Sequence, residues 1–277
     1  MLVGVVAAGL AVPSTRATAV AADTTLRFTR DGSVVRTVDL PALERACPPQ
    51  TVAIDDPYYA TQKRFRAVEL RCALVLGFGA LPADDDDFLL RASDGYVKPA
   101  TGARLTEAGG WLAFSDASLD GAGAPAWQPI DRRQLDPGPY YLVWQKPTQS
   151  DEHGYPWPYQ LVEIERASLA SQFPHVVPTT AAADSPAERG FDIFRTECIA
   201  CHAINGEGGR IGPDLNVPQS IVEYRPAAQV KAYIRNPQSF RYTTMPAHPH
   251  LTDADLDALV AYFETMKTLK HDPGAGQ

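Results

Sequence analysis

The chain has 277 residues and a formal net charge of −8, with 25 basic and 33 acidic residues. An acidic chain without a basic patch is poorly suited to a phosphate backbone, so we expect protein partners and no nucleic acid. Hydrophobic residues make up 45% of the sequence and charged residues 21%, a composition typical of a folded, soluble protein. Since the length exceeds that of one small domain, we predict two domains.

The first predicted segment is a secretory signal peptide over residues 1–22. An apolar run over 1–12 is followed by small residues that end at Ala21 and Ala22, as at a signal-peptidase site. No Lys or Arg precedes the run, so a start further upstream is also possible. The run is too short to span a bilayer comfortably. We predict a periplasmic protein, whose association with a membrane would be peripheral, through a larger complex.

Residues 23–170 predict an α+β domain in which strands dominate. A hairpin is expected over 26–38, because Asp31-Gly32 is a favoured two-residue turn. The other expected strands lie near 51–54, 88–92, 111–114, 140–144 and 159–165. The expected helices cover 40–46, 68–76 and 103–109.

A change in composition then separates the two predicted domains. Residues 171–184 have no hydrophobic period and are rich in Pro, Ala and Thr, which is typical of a linker. Residues 185–277 form the second predicted domain. Its last helix should begin after Thr252, a good N-cap, and bury a stripe that includes Leu256, Leu259 and Phe263.

The second domain contains the pentapeptide Cys198-Ile-Ala-Cys201-His202. C-x-x-C-H is the signature of c-type haem attachment: each thiol forms a thioether and the His becomes an axial iron ligand. A zinc site would need two more ligands at similar spacing, and Cys47 and Cys72 lie far upstream. A thioredoxin-like thiol pair would need a βαβ pattern, which is absent from the prediction. The sequence thus predicts one covalent haem c.

The region 185–270 resembles a class I cytochrome c domain, which is all-α. The resemblance rests on a helix with Gly190 and Phe194, on C-x-x-C-H, on Gly-Pro at Pro213 and on Met-Pro at Met245. It implies that the Pro213 carbonyl accepts the Nδ1–H of His202 and that the Met245 sulfur is the second axial ligand. Met266 is expected in the core.

Two histidines compete with Met245 for the second axial position. His248 and His250 follow it closely, and imidazole also binds haem iron. Met-Pro at this place matches the family better, so we expect both histidines to be solvated loop residues. Between the two haem loops, some of Tyr233, Asn236, Pro237 and Arg241 are expected to line the haem or bind its propionates.

The first domain resembles the molybdopterin-binding fold of the sulfite-oxidase type. The similar pieces are 68–76, 93–96, 136–144 and 157–164. The resemblance implies a Cys thiolate on molybdenum, but Cys72 lies in an apolar helical stretch, and Arg, His and Lys clusters for the pterin phosphate are missing. We therefore predict a relative of this fold without molybdopterin.

In an oxidising compartment Cys47 and Cys72 are expected to pair, with two buried thiols as the alternative.

The aromatic residues of this domain are interpreted as core and docking surface. They are Trp111, Trp127, Tyr140, Tyr141, Trp144 and Trp157.

Two functions follow from these patterns. The favoured one is an electron carrier with redox protein partners, a donor and an acceptor, in which the first domain is a docking or scaffold module and not an enzyme. The alternative is a molybdopterin-dependent oxidoreductase that passes substrate electrons to its fused haem c. A thiolate in an open pocket would favour the alternative.

Overall fold

The computed structural model describes residues 24–119, 126–130, 134–151 and 154–274. The expected signal peptide, residues 1–22, therefore lies outside the described residues. The strands are β1 Thr25–Arg30, β2 Ser33–Asp39, β3 Gln50–Asp56, β4 Thr61–Glu69, β5 Asp87–Ala92, β6 Val97–Thr101, β7 Gly110–Asp116, β8 Tyr141–Trp144, β9 Leu161–Arg166, β10 Ala203–Ile204 and β11 Glu207–Gly208. The helices are α1 Leu40–Ala46, α2 Leu70–Phe78, α3 Gly102–Leu105, α4 Leu169–Gln172, α5 Pro186–Ile193, α6 Ile221–Tyr224, α7 Ala227–Arg235 and α8 Asp253–Thr268.

Two sheets build the strand-rich N-terminal region. One has the strand order β2-β1-β9-β5-β6 and the other the order β3-β4-β7-β8. The pair β1–β9 is parallel, and the remaining neighbours in these sheets are antiparallel. The predicted hairpin is confirmed: Arg30 pairs with Ser33, and both Asp31 and Gly32 have positive φ, as a tight hairpin turn requires.

The core of this region is a cluster of buried side chains from both sheets and from α2. Four of the aromatic residues noted in the sequence, Tyr140, Tyr141, Trp144 and Trp157, are buried in it. Trp111 and Trp127 are partly buried against the same cluster. The core interpretation of the aromatics is therefore confirmed for the four buried residues, and the docking-surface interpretation is wrong for them, because they have almost no surface to offer.

A disulfide joins Cys47, directly after α1, to Cys72 in α2. The two Cα atoms are 5.8 Å apart, within the range that a disulfide can bridge. The expected pairing is thus present, and Cys72 lies in a helix as the apolar stretch predicted.

The helical C-terminal part is organised by the crossing of α5 and α8. Gly190 permits the close approach, since a Cβ on it would lie 2.0 Å from the carbonyl oxygen of Ala258. Thr252 caps α8 by accepting a hydrogen bond from the amide of Asp255, as predicted. Leu256, Leu259 and Phe263 are buried. None of the helices in the described parts of the chain is both long and apolar enough to cross a bilayer.

The segment 171–184, expected to be a linker, is packed against the helical part. Phe173 is 8% exposed and Val176 is fully buried. The Tyr262 hydroxyl of α8 donates a hydrogen bond to the Val176 carbonyl at 2.7 Å. The sequence suggested a linker because the segment lacks a hydrophobic period. The structure differs because its few apolar side chains are placed individually, without helical or strand spacing.

Candidate functional site

The pentapeptide predicted to attach haem begins shortly after α5. The helix continues through a π turn over Phe194–Cys198, a feature often found at functional sites. The amides of Cys201 and His202 both donate to the carbonyl of Cys198, at 3.1 and 2.9 Å. This tight turn brings the two thiols and the imidazole together on one short segment.

The following loop holds the ring of His202. Nδ1 of His202 lies 2.8 Å from the Pro213 carbonyl oxygen, which can only accept, so Nδ1 carries the proton and Nε2 keeps its lone pair. Burial lowers the pKa of His202, and the nearby His248 acts in the same direction, against the Pro213 hydrogen bond. The ring is thereby kept neutral, which is the form that binds a metal ion.

Gly212 completes this cradle. A Cβ at this position would lie 2.4 Å from Cε1 of His202 and 2.6 Å from Nδ1. The Gly212 amide donates to the Cys201 carbonyl at 2.8 Å, which holds the loop against the pentapeptide. The backbone therefore fits closely around an imidazole whose orientation is fixed.

The Cys198 thiol has the wrong electrostatics for a member of a redox-active pair. Burial raises the pKa of the Cys198 thiol to about 12, and the carboxylate of Glu197 adds to the shift. Cysteines that exchange disulfides have lowered pKa values, because the thiolate is the reactive form. This environment disfavours the thioredoxin-like alternative.

Met245 lies on the loop before α8. It is half-buried and packs against the C-terminal core cluster, as do Cys198 and Leu215. Met266 is buried in α8, so its predicted core position is confirmed. Of the two methionines in the described residues, Met245 is the one on a loop.

The donor set fits a covalently bound haem. Two thiols, a neutral imidazole with a fixed tautomer and a thioether are the attachment and axial groups of c-type haem. Tyr233, Asn236, Pro237 and Arg241 lie on or after α7. Arg241 donates to the Tyr233 hydroxyl at 3.0 Å, and Pro237 is buried.

Glu197, His248 and His250 come together near the pentapeptide, and the sequence singled out only the two histidines. His248 is 6% exposed, so the expectation of a solvated loop residue is wrong for it. Its amide donates to the Ile234 carbonyl near the end of α7, a tertiary contact without a local signal. His250, which is 39% exposed at its side chain, agrees better with that expectation. Glu197 is an ion-pair neighbour of both.

The strand-rich region contacts the pentapeptide directly. The amide of Val97 in β6 donates to the Ala200 carbonyl at 3.1 Å, and the Arg210 amide donates to the Gly95 carbonyl at 3.0 Å. Lys98 of the same strand donates from Nζ to the Thr196 carbonyl at 2.9 Å. The β5–β6 hairpin is thus fixed to both sides of the attachment loop.

Comparison with known proteins identifies the helical part. Residues 187–267 match the family model of cytochrome c. Subunit 2 of cytochrome c oxidase from Alkalihalophilus pseudofirmus is 29% identical over 123 residues, which cover 40% of this chain and 35% of that protein. Lupanine 17-hydroxylase [cytochrome c] from a Pseudomonas species is 38% identical over 109 residues, or 35% of this chain and 14% of that protein.

The chain thus spans about a third of one curated relative and a seventh of the other. The C-terminal part of the chain contains a cytochrome c domain, as its sequence resemblance predicted, and such a domain implies a haem and electron transfer. The resemblance of residues 23–170 to the sulfite-oxidase fold stays a prediction.

Proposed function

We propose that the chain is a periplasmic c-type cytochrome that passes single electrons between two protein partners. Cys198, Cys201, His202 and Met245 would hold one haem c. The single observation that carries the proposal is the 2.8 Å contact between His202 Nδ1 and the Pro213 carbonyl, directly after the two thiols. A haem bound in this way supplies a one-electron change between ferrous and ferric iron.

Each residue has a separate task in this proposal. The thiols of Cys198 and Cys201 anchor the group covalently, so it cannot dissociate. Pro213 holds the His202 ring with Nε2 free to bind iron, and Gly212 leaves room for that ring. The Met245 thioether is a neutral, soft ligand that favours the ferrous state, so the potential should be higher than with a second imidazole.

The N-terminal domain is proposed as a cofactor-free scaffold. Its β6 strand supports the attachment loop through Val97 and Lys98. Cys72 is bonded to Cys47, and a disulfide sulfur is not available as a thiolate for molybdenum. This argues against the molybdopterin-dependent alternative. Stoichiometric molybdenum in protein purified from its native host would contradict the scaffold proposal.

The axial assignment is tested with Met245→Ala. The ferric holoprotein should show the weak far-red charge-transfer band of methionine-ligated haem, and the substitution should abolish it. Met266→Leu is the matched control, because it replaces the buried methionine with a side chain of similar volume and should keep the band. A wild-type protein without the band, together with an altered haem spectrum in His248→Ala, would transfer the ligand role to His248.

Covalent attachment is tested separately. The double variant Cys198→Ala/Cys201→Ala should lose the haem that otherwise stays with the chain under denaturing conditions. Retention of that haem would contradict the attachment proposal.

A further inference from the structure

A second group of metal-binding side chains lies beside the attachment loop. Glu197 immediately precedes Cys198, while His248 and His250 lie between Met245 and α8. One donor atom from each of the three comes within 4.8 Å of the others. Among the residues that the structure describes, this is the one such group with three His, Cys, Asp or Glu members.

The spacing of the three donors suits a bound ion better than direct hydrogen bonds. Oε2 of Glu197 is 3.4 Å from Nδ1 of His248 and 3.4 Å from Nε2 of His250. A good N–H···O bond spans about 2.7–3.2 Å, so both contacts are long. Ligands held about 2.0–2.1 Å from a tetrahedral ion are separated from one another by about 3.3–3.4 Å. The two separations from the Glu197 carboxylate agree with that geometry.

His248 supplies an independent indication. It is 6% exposed, and its Nδ1 atom has no hydrogen-bond partner among the residues that the structure describes. A buried polar atom without a partner costs about 1–3 kcal/mol, a cost that a bound ligand removes. The amide of His248 donates to the Ile234 carbonyl at 3.2 Å, so the backbone that carries this imidazole is held in place before any ion arrives.

The surroundings also allow an ion to enter and to stay. The side chain of His250 is 39% exposed and that of Glu197 is 15% exposed, so the group opens to solvent on the His250 side. The carboxylate contributes a negative charge towards a divalent cation. Two imidazoles and one carboxylate are a donor set typical of zinc and similar ions that keep one open position.

We propose that Glu197, His248 and His250 bind a divalent transition-metal ion of the zinc class, with water as a fourth ligand. None of the three is a haem ligand in the proposed function, so this is a second, separate site. The ion would connect the loop that carries Met245 to the segment that carries Cys198. It would therefore restrain the two sides of the haem site relative to each other.

The test measures Zn²⁺ binding to the haem-loaded full chain at neutral pH, by equilibrium dialysis with metal analysis. We expect one zinc per chain in addition to the haem iron. His250→Ala and Glu197→Gln should each weaken binding by at least about tenfold, since loss of even an outer partner of a ligand costs that much. Zinc should also raise the melting temperature of the wild type but not that of Glu197→Gln.

The matched control is His271→Ala. His271 stacks on His175, which contacts Glu207, so this second group has the same residue types. Its donors do not converge as those of the first group do. Zinc binding should be unchanged in this variant.

The outcomes separate the metal proposal from the haem proposal. Absence of zinc binding would contradict the proposal and would mean that the three side chains form ion pairs only. Binding that survives both His250→Ala and Glu197→Gln, or that is lost equally in His271→Ala, would also overturn the site. Haem content and absorption spectra, recorded on the same samples, report independently on the cytochrome site and show that the variants are folded.

Discussion

Because Gly212 has no side chain, the His202 ring can lie directly against the loop. The sequence shows a Gly-Pro pair here, and the structure shows what the glycine is for: the ring occupies the space that a Cβ would need. An ordinary residue would force either the ring or the loop to move. The orientation of the proposed axial ligand therefore depends on the absence of a methyl group.

Gly212→Ala is expected to displace the His202 ring and weaken its bond to Pro213. Overpacking of this kind costs about 1–3 kcal/mol of unfolding free energy. The absorption spectrum and reduction potential of the holoprotein should both change. Gly274→Ala is a suitable control, since its Cβ would approach only Asp272 Oδ1, at 3.3 Å. An unaltered haem spectrum in Gly212→Ala would contradict this expectation and show that the loop can shift to accommodate the methyl group.

Residues that act locally could be predicted from the sequence, and residues that act through tertiary contacts could not. Cys198, Cys201 and His202 are contiguous, so their pattern is visible without a fold. His248 is bonded through its amide to Ile234, and Lys98 reaches the attachment loop from the other region of the chain. No local pattern carries that information.

At the level of the elements, the start of α8 is set by a reciprocal cap. The Thr252 hydroxyl and amide both donate to Oδ2 of Asp255, and Arg189 of α5 donates to Oδ1. These bonds, those of Thr252 first, lower the pKa of Asp255 from 3.8 to about 2. The cap thus also connects α8 to α5.

The lowered pKa of Asp255 predicts an acid-sensitive contribution to stability. A depressed carboxyl pKa stabilises the folded state above the unfolded value of 3.8, and this stabilisation disappears as the pH falls towards about 2. Asp255→Asn should therefore be less stable than wild type near neutral pH, and the difference should shrink across that acidic interval. Urea unfolding at several pH values measures it.

The exposed Asp192, which forms an ion pair with Arg195 of its own turn, provides the comparison for that measurement. Asp192→Asn should follow the wild-type curve closely, since surface ion pairs contribute little. A constant difference between wild type and Asp255→Asn at all pH values would contradict the assigned role.

The disulfide is the strongest single restraint between α1 and α2. It closes a separation of 25 residues, for which the chain-entropy model gives about 3 kcal/mol. The double variant Cys47→Ala/Cys72→Ala should lose about that much unfolding free energy while keeping its haem spectrum. A simultaneous loss of covalent haem would show that the two regions do not fold independently.

Most elements of the strand-rich region followed from periodicity and turn residues, and β4 and β6 are among those that did not. β4 carries Lys63 at a buried position, where an alternating pattern would require an apolar residue; Lys63 is accommodated by an ion pair with the buried Asp116. β6 contains Pro99, which argues against a central strand and is tolerated because β6 lies at an edge of its sheet. The ion-pair partner of Lys63 and the edge position of β6 both come from the tertiary fold, which the local sequence does not show.

At the scale of the whole molecule, the segment between the two regions acts as a packed connection. Tyr262 of α8 donates to the Val176 carbonyl, and Asn205 donates to the His175 carbonyl at 2.8 Å. Leu89 and Val97 of the strand-rich region are buried in the same cluster as the residues of α8. The hydrophobic core of the helical part therefore extends across the boundary.

Tyr262→Phe is expected to cost about 1–3 kcal/mol, because it leaves the buried Val176 carbonyl without this donor. Tyr242→Phe is the matched control, since Tyr242 is 81% exposed and its hydroxyl is solvated. Denaturant unfolding of both holoproteins measures the difference. Equal stability of the two variants would mean that the Val176 carbonyl finds another donor.

The bond from Val97 to Ala200 has a consequence for self-association. β6 is the last strand of its sheet, and a free edge can pair with the edge of another chain. Here the outward amide of Val97 is already occupied by the attachment loop, and the Gly95 carbonyl just before the strand is occupied by Arg210. A fragment that ends before the helical part would uncover this edge. The helical part therefore covers this end of β6, and its removal is expected to promote edge-to-edge aggregation.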